Sequence, residues 1–212
     1  MIPRPPDTAG PFVLVSGNTG SGKSTAVEAL AGGGALRPYP EALSRNAFFA
    51  PLLSSPGEFA FHGQLAFTVL ALETHSAITR DPSPAVQERG LHEVHAVFNT
   101  AHHASGNITD SEFALLETIV AAADPLLAAP SLLVHLEVPI EELARRIRSR
   151  GRVEERAIDI GYLATMEARY RAFVDSWSAS PVLRFDSQGR DLRRPPGGAA
   201  LVDAVERALR SA

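Results

Sequence analysis

The chain of 212 residues contains no cysteine. This absence excludes a disulfide scaffold, thiolate zinc sites, iron–sulfur clusters and a cysteine nucleophile. The formal net charge is −4, and a protein that coats nucleic acid needs a strongly basic face instead. We therefore expect no nucleic-acid partner.

Lysine is almost absent as well. Of the 20 Lys and Arg residues, 19 are arginine, and Lys23 is the one lysine. Nucleotide bias in the genome is the simplest explanation of so much arginine. A lysine that persists against this bias marks a position where the broad, planar guanidinium of arginine will not fit.

Long apolar runs are missing too. None approaches the roughly 20 residues that a membrane-spanning helix needs, and residues 1–10 contain three prolines without the apolar core of a signal peptide. We expect a cytoplasmic protein with no membrane partner. Residues 1–10 read as a flexible lead-in, followed by a single domain over 11–212.

Strand and helix patterns alternate along that domain. Separated strands and helices of this kind predict an α/β fold, with a mostly parallel sheet of about five strands flanked by helices. Ligands of such folds bind at the carboxyl ends of the strands. Strands are predicted at 11–16, 35–38, 84–88, 132–138 and 181–185, and helices at 23–32, 57–80, 91–104, 110–128, 139–147, 158–178 and 198–211.

A phosphate-binding loop follows the first predicted strand and opens the first predicted helix. It matches Gly-x-x-x-x-Gly-Lys-Ser/Thr in both spacing and context. Glycines let backbone N–H groups approach phosphate oxygens, while the lysine reaches the β- and γ-phosphates and the following hydroxyl binds Mg²⁺. The residues predicted to bind ATP phosphates here are Gly17, Asn18, Thr19, Gly20, Ser21, Gly22, Lys23, Ser24 and Thr25.

The loop alone does not distinguish classes of nucleotide-binding proteins. A guanine-specific Asn-Lys-x-Asp motif requires a second lysine, which this chain lacks, and the length of 212 residues disfavours a large motor ATPase. A small-molecule kinase is the remaining interpretation.

Several collinear segments over about 11–186 resemble the deoxynucleoside kinase family. Besides the phosphate loop, they are Pro40-Glu41 with Asn46-Ala-Phe48, Pro56–Phe61 with Gln64-Leu, Gln87-Glu88-Arg89, and Arg146–Glu155. The resemblance implies the P-loop kinase fold and ATP-dependent phosphorylation of the 5′-hydroxyl of a deoxynucleoside. It also implies Mg²⁺ with ATP, and a homodimer. Likeness to small bacterial deoxyadenosine and deoxyguanosine kinases favours a purine acceptor.

By the same resemblance, Glu41 is the general base for the 5′-hydroxyl, and Arg89 clamps the acceptor or the transferring phosphoryl group. Glu88 ends a predicted strand, where a carboxylate helps Ser24 to hold Mg²⁺. A solvated surface glutamate is the alternative for Glu41, and a strand-end ion pair is the alternative for Glu88 and Arg89.

Six arginines lie between residues 145 and 156. We interpret the segment at about 148–156 as a lid that closes over the triphosphate and excludes water. Arg146, Arg150 and Arg152 are expected near the phosphates, with Arg150 and Arg152 assigned to catalysis. Glu155 resembles the family glutamate that contacts the sugar.

The acceptor pocket departs from the family pattern. His62 occupies the position where the family usually has a glutamine that reads the base, and a buried core histidine is its alternative role. Gln64 lies two residues on and points elsewhere on a helix, so it does not simply replace that glutamine. Leu53 replaces a tyrosine that usually touches the sugar, and Gly90 replaces a serine. The identity of the nucleoside therefore stays open.

Two other functions remain as alternatives. One is a kinase of a nucleoside monophosphate or a metabolite, with Arg37 and Arg45 as extra cations, and the other is a non-catalytic ATP-binding module. His92-Glu-Val-His95 and His102-His103 do not have the spacing of a zinc protease site, so we expect structural roles. The apolar faces of the helices at about 57–80 and 110–128 are the candidate dimer contacts.

Overall fold

Five strands form one sheet in the computed structural model, which describes residues 10–152, 155 and 158–211. They are β1 (Phe12–Ser16), β2 (Arg37–Tyr39), β3 (Ala85–Glu88), β4 (Leu132–Glu137) and β5 (Val182–Asp186). The order is β2-β3-β1-β4-β5, and every neighbouring pair is parallel. The predicted parallel sheet of five strands is confirmed. The predicted second strand, 35–38, begins two residues too early and ends one residue too early, because Arg37–Tyr39 is the segment that pairs with β3.

The α-helices are α1 (Lys23–Ala31), α2 (Phe49–Ser54), α3 (Pro56–Arg80), α4 (Leu91–Glu93), α5 (Thr100–Ala104), α6 (Asp110–Ala123), α7 (Ile140–Arg150), α8 (Ile160–Ser176) and α9 (Gly197–Ser211). Two 3₁₀ turns span Leu43–Arg45 and Asp124–Leu126. Sequence analysis missed α2, which is too short to show a helical period.

Three predicted helix boundaries need correction. The stretch at 91–104 is interrupted by a π-helical segment, Val94–Asn99, which lies between α4 and α5. Helix α6 ends at Ala123, five residues early, where the 3₁₀ turn containing Pro125 begins. Helix α7 continues to Arg150 and ends at Gly151, whose φ of 67° is left-handed.

The chain forms two compact units. The sheet unit contains Gly10–Pro40, Ser83–Glu88 and the described residues from Ala129 onward; the helical unit contains Glu41–Pro82 and Arg89–Ala128. The single domain over 11–212 stays a prediction. Most of the predicted lead-in, residues 1–9, lies outside the described residues.

The core of the sheet unit explains the strand sequences. All five residues of β1 are buried, because a strand in the middle of a covered parallel sheet has two apolar faces. Val13 and Val15 pack in one cluster with Ala26 of α1 and Leu201 of α9. A second cluster joins α7 and α8 through residues such as Leu143 and Leu163. This packing holds the carboxyl end of β1 and the start of α1 in place.

The helical unit has its own apolar clusters. One joins α3, α4 and α6 through Ala71, Leu91 and Val120, and another contains Leu52, Ala60, Ile108 and Leu116. Helix α6 begins with a capping box between Thr109 and Glu112. Within the described part of the chain, no helix is both long enough and apolar enough to cross a membrane.

Candidate active site

The phosphate loop connects β1 to α1, and its backbone is left-handed at several glycines. Gly17 has φ 148° and Gly20 has φ 83°. A Cβ atom on Gly17 would lie 2.7 Å from Ser21 Oγ, and one on Gly20 would lie 3.1 Å from the Leu143 carbonyl. Both positions therefore require glycine, for backbone conformation and for space. Gly22, Lys23, Ser24 and Thr25 continue the loop into the first turn of α1, where backbone N–H groups favour phosphate.

Lys23 is held inside this loop. Its Nζ donates to the Gly17 carbonyl at 2.8 Å and to the Asn18 carbonyl at 3.2 Å, and the residue is buried. A three-donor ammonium fits between two carbonyls of one tight turn, whereas a guanidinium is wider and planar. This geometry gives a physical reason why position 23 has a lysine in a chain whose other basic residues are arginines.

Ser24 and Glu88 lie together at the same edge of the sheet. The Ser24 hydroxyl donates to Glu88 Oε1 at 2.9 Å, and Glu88 is the last residue of β3, the strand next to β1. A hydroxyl and a carboxylate at a phosphate loop are the hard oxygen ligands that Mg²⁺ prefers. The two residues fit the metal role that the sequence predicts for them.

Asn18 anchors the loop to α8. Its Nδ2 donates to the Leu163 carbonyl at 3.0 Å and to Glu167 Oε2 at 3.1 Å, while its Oδ1 accepts from the Thr19 amide at 2.8 Å. The Asn18 side chain thus supports the loop conformation. Glu167 is a supporting residue that sequence analysis missed, because nothing in the sequence links it to a position 149 residues earlier.

Arg146 lies against the phosphate loop, and its predicted contact with the phosphates stays a prediction. Its Nη1 donates to the Ser21 carbonyl at 3.1 Å, and its Nη2 donates to the Ser187 carbonyl at 2.8 Å. Glu142 orients the guanidinium by accepting from Nε at 2.8 Å. Hydrogen bonds from Arg145 and Arg146 lower the pKa of Glu142 to about 2, so this carboxylate stays charged.

In the predicted lid, Arg150 and Arg152 both lie near the carboxylate of Glu155. Arg150 Nη2 lies 2.5 Å from Glu155 Oε1, and Arg152 Nη1 lies 3.6 Å from the same oxygen. The structure brings these three residues together next to the end of α7. Val153, Glu154 and Arg156 of the predicted lid lie outside the described residues.

In the helical unit, Glu41 and Arg89 form a largely buried ion pair. Arg89 Nη1 donates to Glu41 Oε1 at 2.5 Å, and the two side chains are only 12% and 14% exposed. Arg89 also has φ 54°, a left-handed conformation that is strained for a residue with a side chain. Strain of this kind is characteristic of functional sites. Arg89 and Glu41 thus form an ion pair, and the roles of Glu41 as base and of Arg89 as a clamp for the acceptor or the phosphoryl group stay predictions.

Two residues that sequence analysis missed complete this arrangement. Glu93 is fully buried and accepts from Arg89 Nε at 3.4 Å, and the Phe98 ring lies 4.4 Å from the Arg89 guanidinium carbon. A cation over an aromatic face is stabilised by the ring quadrupole. Glu93 could have been found as the i+4 partner of Arg89, but Phe98 depends on the π-helical turn between them.

His62 and Gln64 point in different directions from α3. His62 is exposed, and its ring centroid lies 5.3 Å from that of Phe48 and 5.9 Å from that of Phe61. Gln64 is buried. The alternative of a buried core histidine at position 62 is therefore wrong.

The remaining candidates have local partners. Gly90 caps the start of α4 with its backbone, and Leu53 is partly exposed in α2. Arg45 pairs with Glu73 at 2.8 Å, and Arg37 lies over the Tyr39 ring.

The histidines that we expected to be structural also have local partners. His92 bonds Asp124, His103 bonds Asp110, and the His95 ring stacks on Phe113. His102 is partly buried, and this burial lowers its pKa.

The chain is similar to known proteins over most of its length. The sequence model of the deoxynucleoside kinase family matches residues 13–206. A deoxyadenosine/deoxycytidine kinase of Bacillus subtilis is 26% identical over 185 residues, which cover 85% of this chain and 84% of that protein. A deoxyguanosine kinase of Lactobacillus acidophilus is 29% identical over 167 residues, or 75% of this chain and 70% of that protein.

A solved structure has the same fold. It is a deoxyadenosine kinase from M. mycoides with bound dATP, which superposes with a TM-score of 0.79 at 17% identity. The match covers 94% of this chain and 99% of that one. The family match spans both units, with a phosphate loop in the sheet unit and the Glu41–Arg89 pair in the helical unit. The chain belongs to the deoxynucleoside kinase family and is an ATP-dependent kinase of deoxynucleosides.

Proposed function

We propose that the protein transfers the γ-phosphoryl group of ATP to the 5′-hydroxyl of a deoxynucleoside, with Glu41 as general base. The observation that carries this assignment is the Glu41–Arg89 pair, at 2.5 Å. Arg89 itself is held by Glu93 and by the Phe98 ring. A carboxylate fixed in this way is able to orient a hydroxyl and accept its proton, which is the chemistry that phosphoryl transfer needs at the acceptor.

The donor side is assigned to the phosphate loop. Lys23, the loop amides and Arg146 bind the phosphates, and Arg150 and Arg152 offset charge that develops on the transferring group. Ser24 and Glu88 would hold Mg²⁺, and their 2.9 Å contact supports this role. When bound, the metal would supply positive charge that offsets the negative charge of the phosphates. Glu155, which pairs with Arg150, is assigned to contact with the sugar of the acceptor.

Gln64 is assigned to the acceptor base, with His62 at the aromatic wall formed by Phe48, Phe59 and Phe61. Two observations favour Gln64: its side chain is buried, and its Oε1 has no hydrogen-bond partner among the described residues. A buried amide oxygen without a partner is costly, so a ligand that bonds it gains affinity. Each of the two relatives acts by name on a purine nucleoside, deoxyadenosine in one and deoxyguanosine in the other, and this supports a purine acceptor, although the first also acts by name on deoxycytidine, a pyrimidine.

The first experiment is an assay of the purified protein with ATP, Mg²⁺ and each of the four deoxynucleosides. We expect a deoxynucleoside 5′-monophosphate, with a purine as the best substrate. If none of the four yields product, the proposal is wrong.

The second experiment replaces Glu41 with Gln. Turnover should fall by about 10²- to 10⁴-fold, since the base is lost, while ATP binding measured by calorimetry stays unchanged. Glu58→Gln, at an exposed position of the same unit, is the matched control and should keep full activity. Turnover that survives in Glu41→Gln would remove Glu41 from the mechanism.

A homodimer through α3 and α6 is proposed as well. Val69 on α3 and Leu115 on α6 are large apolar side chains that are 49% and 48% exposed, and these two helices contact each other. Light scattering should give twice the mass of 22.6 kDa for the chain. Val69→Glu should shift the mass to that of a monomer, and a monomeric wild-type protein would contradict the proposal.

A further inference from the structure

Two side-chain amides are buried in the helical unit with an oxygen that no described residue bonds. Gln64 on α3 is 2% exposed and Asn99, the last residue of the π-helical segment, is 0% exposed. The atoms without a partner are Gln64 Oε1 and Asn99 Oδ1. Each is an acceptor withdrawn from water, and such an atom costs stability until a donor reaches it.

The orientation of the Asn99 amide follows from its neighbours. The Thr68 hydroxyl donates its hydrogen to the backbone carbonyl of Gln64, at 2.8 Å. The same hydroxyl oxygen lies 3.2 Å from Asn99 Nδ2. Because Thr68 has one hydrogen and has already used it, the group of Asn99 that faces Thr68 must be the donating NH₂. The oxygen of Asn99 is therefore locked in the opposite direction, as an acceptor.

Asn99 has links to Gln64 and to the Glu41–Arg89 pair, the two places where the acceptor is proposed to bind. Through Thr68 it lies one helical turn from Gln64 on α3. Its chain neighbour Phe98 lies under the guanidinium of Arg89, which holds Glu41. A π-helical turn adds a residue to a helix, often at a functional site, and here it ends at Asn99.

We propose that Asn99 determines the specificity for the nucleobase, by accepting a hydrogen bond from an exocyclic amino group. This inference rests on the proposed function, since it concerns the same acceptor site. Adenine and cytosine carry an amino group where guanine and thymine carry a carbonyl oxygen. If a base carbonyl faced Asn99 Oδ1, two buried acceptor oxygens would face each other with no hydrogen between them to form a bond. The substrate class is therefore the deoxynucleosides that carry an amino group at this position, deoxyadenosine and deoxycytidine, and not deoxyguanosine, whose amino group is on another carbon.

Gln64 does not provide this discrimination by itself. No contact among the described residues fixes whether the oxygen or the nitrogen of the Gln64 amide faces a ligand. By rotating, the amide can accept from a base with an amino group or donate to a base with a carbonyl oxygen. Asn99 lacks that freedom because of Thr68. The difference between the two amides makes Asn99 the residue that separates amino from carbonyl bases.

The test compares deoxyadenosine with purine 2′-deoxyriboside, which lacks only the amino group, in the wild-type protein and in Asn99→Leu. In the wild type, kcat/KM should be about 10- to 100-fold higher for deoxyadenosine, the effect of one buried hydrogen bond. In Asn99→Leu the two substrates should become equal within about threefold. Asn99→Asp keeps an acceptor oxygen and should keep the preference for the amino group.

Thr79→Val is the matched control. Thr79 is also buried on α3, donates to the His75 carbonyl at 2.9 Å and accepts from the Ala128 amide at 3.0 Å. Its loss should lower stability while leaving the ratio between the two substrates unchanged. A ratio in Asn99→Leu equal to that of the wild type would overturn the assignment.

The wild-type protein alone also decides the question, if Asn99→Leu does not fold. Deoxyguanosine or thymidine phosphorylated as efficiently as deoxyadenosine would overturn the role of Asn99 and leave the proposed function standing. An absence of product from every deoxynucleoside would overturn the proposed function, and this inference with it.

Discussion

The two units hold their functional groups in different ways. In the sheet unit, nine consecutive residues from Gly17 to Thr25 form the phosphate loop, and its shape comes from left-handed glycines and backbone carbonyls. In the helical unit, the proposed acceptor groups come from separate places in the chain. Side-chain contacts join Glu41 to Arg89, Arg89 to Phe98 and Asn99 to Thr68, whose hydroxyl bonds the backbone of Gln64.

This difference gives a physical reason for the expectation from the sequence that the phosphate loop matches its family while the acceptor pocket departs from it. A loop built from backbone groups binds any triphosphate in the same way and tolerates little change in its glycines. A pocket built from side chains changes its preference when one side chain changes, as at His62, Leu53 and Gly90. We therefore expect substitutions in the phosphate loop to lower turnover equally with every acceptor, and substitutions of the side chains proposed to face the base in the helical unit to affect acceptors unequally.

The largest effect expected is that of Lys23→Arg. The charge is retained, but a guanidinium does not fit between the Gly17 and Asn18 carbonyls. We expect kcat/KM to fall by about 10³-fold, as on loss of a transition-state donor, and by the same factor for every accepted deoxynucleoside. Steady-state kinetics test this, with circular dichroism to verify folding. A loss that differed between acceptors would break the contrast between the units.

Arg89→Ala in the helical unit should act on stability as well as on turnover. It removes the partner of Glu41 and a partner of the fully buried Glu93. Breaking a buried ion pair costs about 3 to 4 kcal/mol of unfolding free energy. Urea denaturation at pH 7 measures the change, and Arg45→Ala, at an exposed pair, is the control. A change below about 1 kcal/mol would show that side-chain links do not hold this unit together.

Acid should destabilise the sheet unit through a buried histidine of β4, His135. Burial, then Arg184 and Lys23, lowers the pKa of His135 from 6.5 to about 4. Between these values the unfolded chain binds a proton that the folded chain does not, so stability is complete above pH 6.5 and falls as the pH drops toward 4. The full loss is about 3 kcal/mol.

Denaturation of the wild type and of His135→Gln at pH 7 and pH 4 measures this contribution. Burial also lowers the pKa values of His75, His95 and His102 in the helical unit, so part of the acid sensitivity should remain in the variant. If the free energy of unfolding depended on pH in His135→Gln just as in the wild type, groups other than His135 would cause the whole loss of stability in acid.

The smallest effect separates the backbone of Arg89 from its side chain. Both Arg89→Gly and Arg89→Ala remove the guanidinium, but only glycine adopts φ 54° without strain. Arg89→Gly should therefore be more stable than Arg89→Ala by about 1 kcal/mol. Equal stabilities in thermal unfolding would mean that the backbone relaxes once the side chain is gone.

Much of the fold follows from local patterns. The buried strand β1, the loop glycines and the positions of β3 and β4 are each encoded within a few consecutive residues, so a single sequence predicts them. Helix α2 and the π-helical segment Val94–Asn99 were missed. Both depend on packing against other elements, and neither has a local period long enough to read.

The same distinction applies to the proposed site. Lys23, Ser24 and Glu88 could be found because a motif or a strand end identifies them. Glu167, Phe98 and Asn99 could not, because each acts on a residue far away in the chain or across an irregular turn. For His62 and Gln64 the sequence supplied both candidates, and the rotation of α3 decided which of them is buried.

The sequence by itself determined the phosphate loop, the parallel α/β architecture and the resemblance to deoxynucleoside kinases. Consecutive residues are enough for these features, because the loop uses its own backbone and each strand its own apolar run. Only the tertiary structure decided that Arg89 joins Glu41 to Glu93, and that Thr68 locks the Asn99 amide. Such contacts depend on the direction of side chains from different helices, which no spacing along one chain specifies.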